Sequence, residues 1–122
     1  MGRICVLGLG YVGLPLMRSL QPHFEICGFD INVDKVEELR NGIDSQNLLE
    51  GNARFLGDCT YSNDLSDFSD VDTYIVCVPT PITKNNQPDL RAILSAASLI
   101  GKQLRSGDLV INESTVFPGV TE

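Results

Sequence analysis

The sequence predicts an α/β protein built on a doubly wound parallel sheet. Short apolar runs alternate with longer runs at helical spacing. The short runs are apolar at successive positions, as strands covered by helices on both faces must be. A glycine-rich turn, Gly8 to Gly13, joins the first strand to the first helix. At 122 residues and 43% apolar content the chain can bury one core, so one domain is expected over residues 1–122.

Ile4, Val6 and Leu7 form the first strand, and Gly8, Gly10 and Gly13 follow in a G-x-G-x-x-G pattern. In a Rossmann-like fingerprint the first glycine permits the tight turn. The second lets the backbone approach a pyrophosphate, and the third lets the next helix lie close to the strand. The phosphates then sit at the helix N-terminus, where unpaired N–H groups and the helix dipole favour an anion without basic side chains. A purely structural glycine turn is the alternative. Val12, Leu16, Met17 and Leu20 give this helix its apolar spacing, Pro15 is tolerated in its first turn, and Gln21-Pro22 closes it.

The second strand, Phe24 to Phe29, ends in Asp30, about 20 residues past the glycines, where the fingerprint places its ribose-binding acid. A carboxylate accepts hydrogen bonds from ribose hydroxyls and repels a 2′-phosphate. Ile31 and Asn32 offer no arginine to bind one, so the reading is NAD; Lys35, one helical turn on, keeps NADP open. Asn32 or Asp34 can cap the second helix, in which Val36 and Leu39 point inward and Asn41-Gly42 form the stop.

Residues 43–70 hold polar turns, a brief strand at Cys59-Thr60-Tyr61, and acids at Asp64, Asp67, Asp70 and Asp72. Scattered aspartates suit helix caps and solvated loops, with cation binding as the alternative. Thr73 to Val78 form the next strand and run into Pro79-Thr80-Pro81. Two prolines hold Thr80 extended at a strand's carboxyl end, the edge where open α/β sheets bind ligands; a simple rigid turn fits the spacing equally. Asp89 can cap a helix with an expected core stripe of Leu90, Ile93, Leu94, Ala97, Ile100 and Leu104, Lys102 and Arg105 near its end, and Gly107 terminating it. Leu109 to Asn112 form a last strand leading to Glu113-Ser114-Thr115-Val116, and Pro118 suits the start of another helix. The sheet is expected to be truncated before the full domain is complete, as the N-terminal fragment of a longer enzyme.

The formal net charge of −7 argues against nucleic acid and anionic membranes as partners. No run is long enough to span a bilayer, and the glycines interrupt any signal-like segment, so the expected location is cytoplasmic. Cys5, Cys27, Cys59 and Cys77 contain no C-x-x-C pair, and three lie in strand-like runs. They read as reduced buried thiols rather than metal ligands, and none stands beside a histidine.

Together, Gly8 to Leu16, Gly28-Phe29-Asp30, Val78 to Pro81 and Glu113 to Gly119 resemble the N-terminal NAD-binding region of the UDP-glucose/GDP-mannose dehydrogenases. Within that family, Pro79 to Ile82, Gln87 to Leu90 and Glu113 to Val116 most resemble bacterial UDP-N-acetylhexosamine 6-dehydrogenases of surface-polysaccharide synthesis. Ser45 to Leu48 depart from the family's usual threonine-glutamate. The resemblance implies a two-step oxidation of a UDP-sugar primary alcohol to a carboxylate, with NAD as hydride acceptor. The nucleophilic cysteine lies in a later domain that also binds most of the sugar, so the isolated chain is expected to be inactive. It further implies that Gly8, Gly10, Tyr11, Val12 and Gly13 border the pyrophosphate, Asp30 the adenosine ribose, and Lys35 its outer edge. Pro79 and Thr80 would line the path toward nicotinamide, and Thr115 would adjoin the cofactor and hold a catalytic water. By residue type alone Thr115 suits a strand-end cap. The family forms dimers or larger assemblies.

Two other readings keep the same opening motif: a hydroxyacid-type dehydrogenase and a nonenzymatic NAD(H)-sensing module. The turns at Pro79-Thr80-Pro81 and Ser114-Thr115-Val116 speak against both.

Overall fold

The computed structural model describes residues 3–45, 49, 59–79, 84–87 and 89–113. Five strands, β1 (Arg3–Leu7), β2 (Glu25–Phe29), β3 (Thr60–Ser62), β4 (Val71–Val76) and β5 (Leu109–Asn112), form one sheet in the order β3-β2-β1-β4-β5. Every neighbouring pair is parallel. The helices are α1 (Gly13–Leu20), α2 (Val33–Arg40) and α3 (Arg91–Gly101), with a 3-10 turn at Leu65–Phe68. The chain winds outward from β1 to β3, returns to the other side of β1, and winds outward again. The order therefore reverses between β1 and β4, the point at which doubly wound sheets open a crevice.

Strand alternation divides the core into two layers. Val6 of β1 joins Leu14 and Met17 of α1 and Val36 and Leu39 of α2 on one face. Cys5 and Leu7 turn to the opposite face, with Tyr74 of β4, Phe68 of the 3-10 turn, and Ala96 and Ile100 of α3. This two-sided burial is the reason the strand sequences read as continuous apolar runs.

The helix ends follow local chemistry. Asn32 caps α2, its side chain accepting from the Lys35 amide at 3.2 Å. At the other end Gly42 has φ +73°, its amide donates to the Leu39 carbonyl, and the Ile43 amide donates to Glu38. These two bonds make a complete Schellman stop, which needs a residue tolerant of left-handed φ. Gln21 ends α1 as expected.

Several expectations shift. The third strand lies one residue later than Cys59–Tyr61, and the fourth runs from Val71 to Val76, although the Cys77 amide still reaches the Leu7 carbonyl at 2.7 Å. Helix α3 stops at Gly101, well before Gly107, whose φ of +93° serves a separate turn in which Asp108 accepts from the Arg105 amide. Asp89 precedes the cap position Leu90, yet it accepts from the Arg91 amide at 3.1 Å and pairs with the Arg91 guanidinium at 2.6 Å. That hydrogen-bonded guanidinium holds the Asp89 carboxyl down to about 2. The expected stripe on α3 is only partly buried. Ala96 and Ile100 enter the core, while Leu90, Leu94 and Leu104 are exposed. Apolar residues occupy both sides of this helix, so spacing alone could not select the inward one.

The aspartates of residues 64–72 all have partners in the fold. Asp64 caps the 3-10 turn and accepts from the Ser66 amide and hydroxyl, which lowers its pKa. Asp67 accepts from the Ser62 hydroxyl, Asp70 pairs with Arg3 at 3.3 Å, and Asp72 accepts from the Thr73 hydroxyl. Arg3 also donates to the Thr60 hydroxyl and lies over the Phe68 ring, tying the start of β1 to β3 and to the 3-10 turn.

Candidate functional site

A cavity of about 740 Å³ opens at the carboxyl ends of β1, β2 and β4, at the reversal of strand order. Its size is that of a small-molecule or cofactor pocket. Gly8 to Val12 line it from the turn after β1, Phe29 to Asn32 and Lys35 from the β2 side, and Cys77 to Pro79 from the β4 side. Ala92, Ser95, Ala96 and Leu99 of α3 complete the wall.

The three glycines of the turn meet different constraints. At Gly8 the φ of +95° disfavours any side chain, and a Cβ would stand 2.8 Å from the Cys77 carbonyl oxygen. Its amide donates to the Phe29 carbonyl at 2.9 Å, so the turn is held between β2 and β4. At Gly13 a Cβ would fall 1.8 Å from the Gly8 carbonyl oxygen; the helix is pressed directly onto the turn. Gly10 differs, since a Cβ there would meet nothing within 4 Å. The missing side chain at Gly10 therefore leaves room for a guest rather than for the protein's own backbone.

Beside that space begins α1. The amides of Gly10, Tyr11 and Val12 form no hydrogen bond among the described residues, and the Val12 cap position has no side-chain acceptor. Unsatisfied donors at a helix start, reinforced by the dipole, suit an anionic group. Val12, one of the apolar residues at helical spacing, is the cap of α1 and exposed, and Tyr11 is 83% exposed at the tip of the turn. Gly13 is buried and does not line the cavity.

Asp30 lies just past β2 with its carboxylate held at both oxygens. Oδ2 accepts from the Leu9 amide and Oδ1 from the Asn32 amide, each at 3.0 Å. An ionised carboxylate has about four acceptor positions. Two are engaged by backbone, leaving capacity for two hydroxyl donors on a ligand. The Asp30 amide donates to the Ser62 carbonyl at 3.2 Å, joining this corner to β3. Lys35, in the first turn of α2, lines the same side of the cavity.

On the β4 side Cys77 faces the cavity, and burial together with the nearby Glu113 carboxylate pushes its thiol up to about 11. It is a neutral thiol at physiological pH and a poor nucleophile. Cys5 and Cys27, paired in register across β1 and β2, are fully buried, and their mutual hydrogen bond and burial raise Cys5 well above the ordinary thiol range. Pro79 lines the cavity at its exposed end. Thr80 and Thr115 lie outside the described residues.

The face of α3 that lines the cavity was not anticipated from the sequence. Ala92, Ser95, Ala96 and Leu99 recur at helical spacing, and three of the four are small. That cluster of small residues among leucines was the available signal, since small side chains widen a cleft that leucines would fill.

The UDP-glucose/GDP-mannose dehydrogenase family, NAD binding domain, matches residues 2–122. The UDP-N-acetyl-D-glucosamine 6-dehydrogenase of Pseudomonas aeruginosa is 46% identical over 123 residues, covering 98% of this chain. The UDP-N-acetyl-D-mannosamine dehydrogenase of Methanococcus aeolicus is 40% identical over 129 residues, again covering 98%. Each match takes up 29% of the relative's own length. Among solved structures, a UDP-glucose dehydrogenase from Pyrobaculum islandicum superposes with a TM-score of 0.80 at 31% identity, over 98% of this chain and 30% of the other.

Proposed function

The chain belongs to the UDP-glucose/GDP-mannose dehydrogenase family, in its NAD-binding domain, and from that premise we propose that it is the cofactor-holding part of a nucleotide-sugar 6-dehydrogenase. The observation that carries this reading is the double anchoring of Asp30 beside the open Gly10 position, within one cavity. The amides of Gly10, Tyr11 and Val12 would receive the pyrophosphate of NAD, with Gly8 and Gly13 shaping the turn beneath them. The free acceptor capacity of Asp30 would take the adenosine ribose hydroxyls. Lys35 would border that ribose, and Pro79 and Thr80 would guide the cofactor toward its nicotinamide end.

When bound, NAD supplies a hydride acceptor. The residues described here hold and orient it, and the apolar wall of Phe29, Val78 and Leu99 keeps bulk water from its flank. Cys77, held neutral, takes no part as a nucleophile. In the whole enzyme the substrate is a UDP-hexose or UDP-N-acetylhexosamine, whose primary alcohol is oxidised in two steps to the uronic acid. Thr115 would hold the water that completes the second step. Residues 1–122 act as one unit of a larger cytoplasmic enzyme, a homodimer or higher assembly, and oxidise no UDP-sugar unaided. The identity to relatives acting on UDP-N-acetylhexosamines supports that substrate class.

Titration with NADH and NADPH tests the site. The unaltered chain should prefer NADH. Asp30→Ala should weaken NADH by roughly 10- to 100-fold, the loss of hydrogen bonds to a charged acceptor, and abolish the preference. Equal affinities in the unaltered chain, or a preference surviving Asp30→Ala, would overturn the ribose assignment.

A further inference from the structure

We propose that Ser62 is a positioning residue for the Asp30 carboxylate, acting across the β2–β3 edge from outside the lining of the cavity. The inference rests on the assignment of Asp30 to the adenosine ribose. Ser62 is the last residue of β3, pairs in register with Phe29, and is 2% exposed, a buried polar side chain within an apolar sheet. Its hydroxyl donates to Asp67 and accepts from the Asp64 amide at 3.0 Å. Both bonds are local to the loop after β3, so they fix the direction in which the strand end leaves the sheet.

The same residue's carbonyl accepts the Asp30 amide at 3.2 Å. This rung lies beyond the end of β2 and determines where the Asp30 backbone stands relative to the sheet. The Asp30 side chain then spans to the Leu9 amide on one side and the Asn32 amide on the other, both at 3.0 Å. A carboxylate bridging two turns keeps that geometry only while its own backbone is fixed. Without the Ser62 hydroxyl, the part-buried bond from the Asp64 amide is lost, the loop relaxes, and the carbonyl that anchors Asp30 moves with it. The consequence falls on ribose recognition and on rejection of a 2′-phosphate.

The Ser62→Ala and Asp67→Ala variants of the full chain test this through the ratio of NADPH to NADH dissociation constants, read by fluorescence titration alongside a thermal melt. Loss of one hydrogen bond in the relay should lower that ratio about three- to tenfold in each variant, while folding is retained. General destabilisation without displacement of Asp30 would lower the melting temperature and leave the ratio fixed, and that result overturns the proposal. If Ser62→Ala does not fold, Asp67→Ala, at an exposed position, decides alone. Asp30→Ala is the control. Collapse of the ratio there with no change in the other two variants refutes the role of Ser62 only; no change in Asp30→Ala refutes the ribose assignment, and this inference with it.

Discussion

The β1–α1–β2 half of the sheet and the β4–α3–β5 half use the same strand-helix-strand unit, yet they close differently. In the first, Leu14 and Met17 are fully buried, Gly13 seats α1 on the turn, and the strand ends deliver fixed polar groups. In the second, Leu94 is 64% and Leu109 is 54% exposed, and α3 turns its small residues toward the cavity. The first half is therefore closed by its own local contacts, with little tolerance at Gly8 and Gly13, where backbone meets backbone. The second contributes a wall and leaves an apolar side to solvent in this chain.

The largest effect is expected inside the closed half, at Gly13. Gly13→Ala places a methyl group onto the Gly8 carbonyl and should cost about 3 kcal/mol or more in denaturant unfolding. Gly10→Ala, in open space, should leave stability within about 1 kcal/mol while weakening NADH binding. A comparable stability loss in both would erase the distinction between a packing glycine and an access glycine.

Next is Leu14→Ala in the closed half, which should lose about 2–5 kcal/mol by vacating a buried site. Leu94→Gln in the open half should change stability by no more than about 0.5 kcal/mol. A large loss at Leu94 would mean that α3 is packed on both sides.

A smaller effect follows from Cys77. Its thiol is raised from 9.0 to about 11, so the folded chain retains a proton that the unfolded chain releases. Stability is unaffected below about pH 8, then falls as pH rises through that interval. Urea midpoints across pH 8 to 11 should show this decline, and Cys77→Ala should lessen it without removing it, because Cys5 is raised as well. Stability that increased with pH over this range would contradict a neutral Cys77.

The strands, the glycine turn and Asp30 were legible because each depends on a short stretch of chain. Apolar runs give strands, Gly8 and Gly13 sit where backbone crowds backbone, and Asn32 and Gly42 cap by bonds to residues nearby in sequence. The acidic residues from Asp64 to Asp72 were legible only as caps and surface charges; which partner each one takes depends on how β1, β3 and the 3-10 turn meet.

The sequence by itself determined a parallel α/β sheet, a glycine-rich turn after its first strand, and an acid just past the end of its second. It also carried the family, through motifs whose order and spacing survive without reference to coordinates. Only the tertiary structure decided which side of α3 faces inward, because both sides are apolar and the choice is made by the cavity and the sheet it covers. Only the tertiary structure joined Ser62 to Asp30 as well. Those residues are far apart in the chain, and the bond between them exists because β2 and β3 lie side by side.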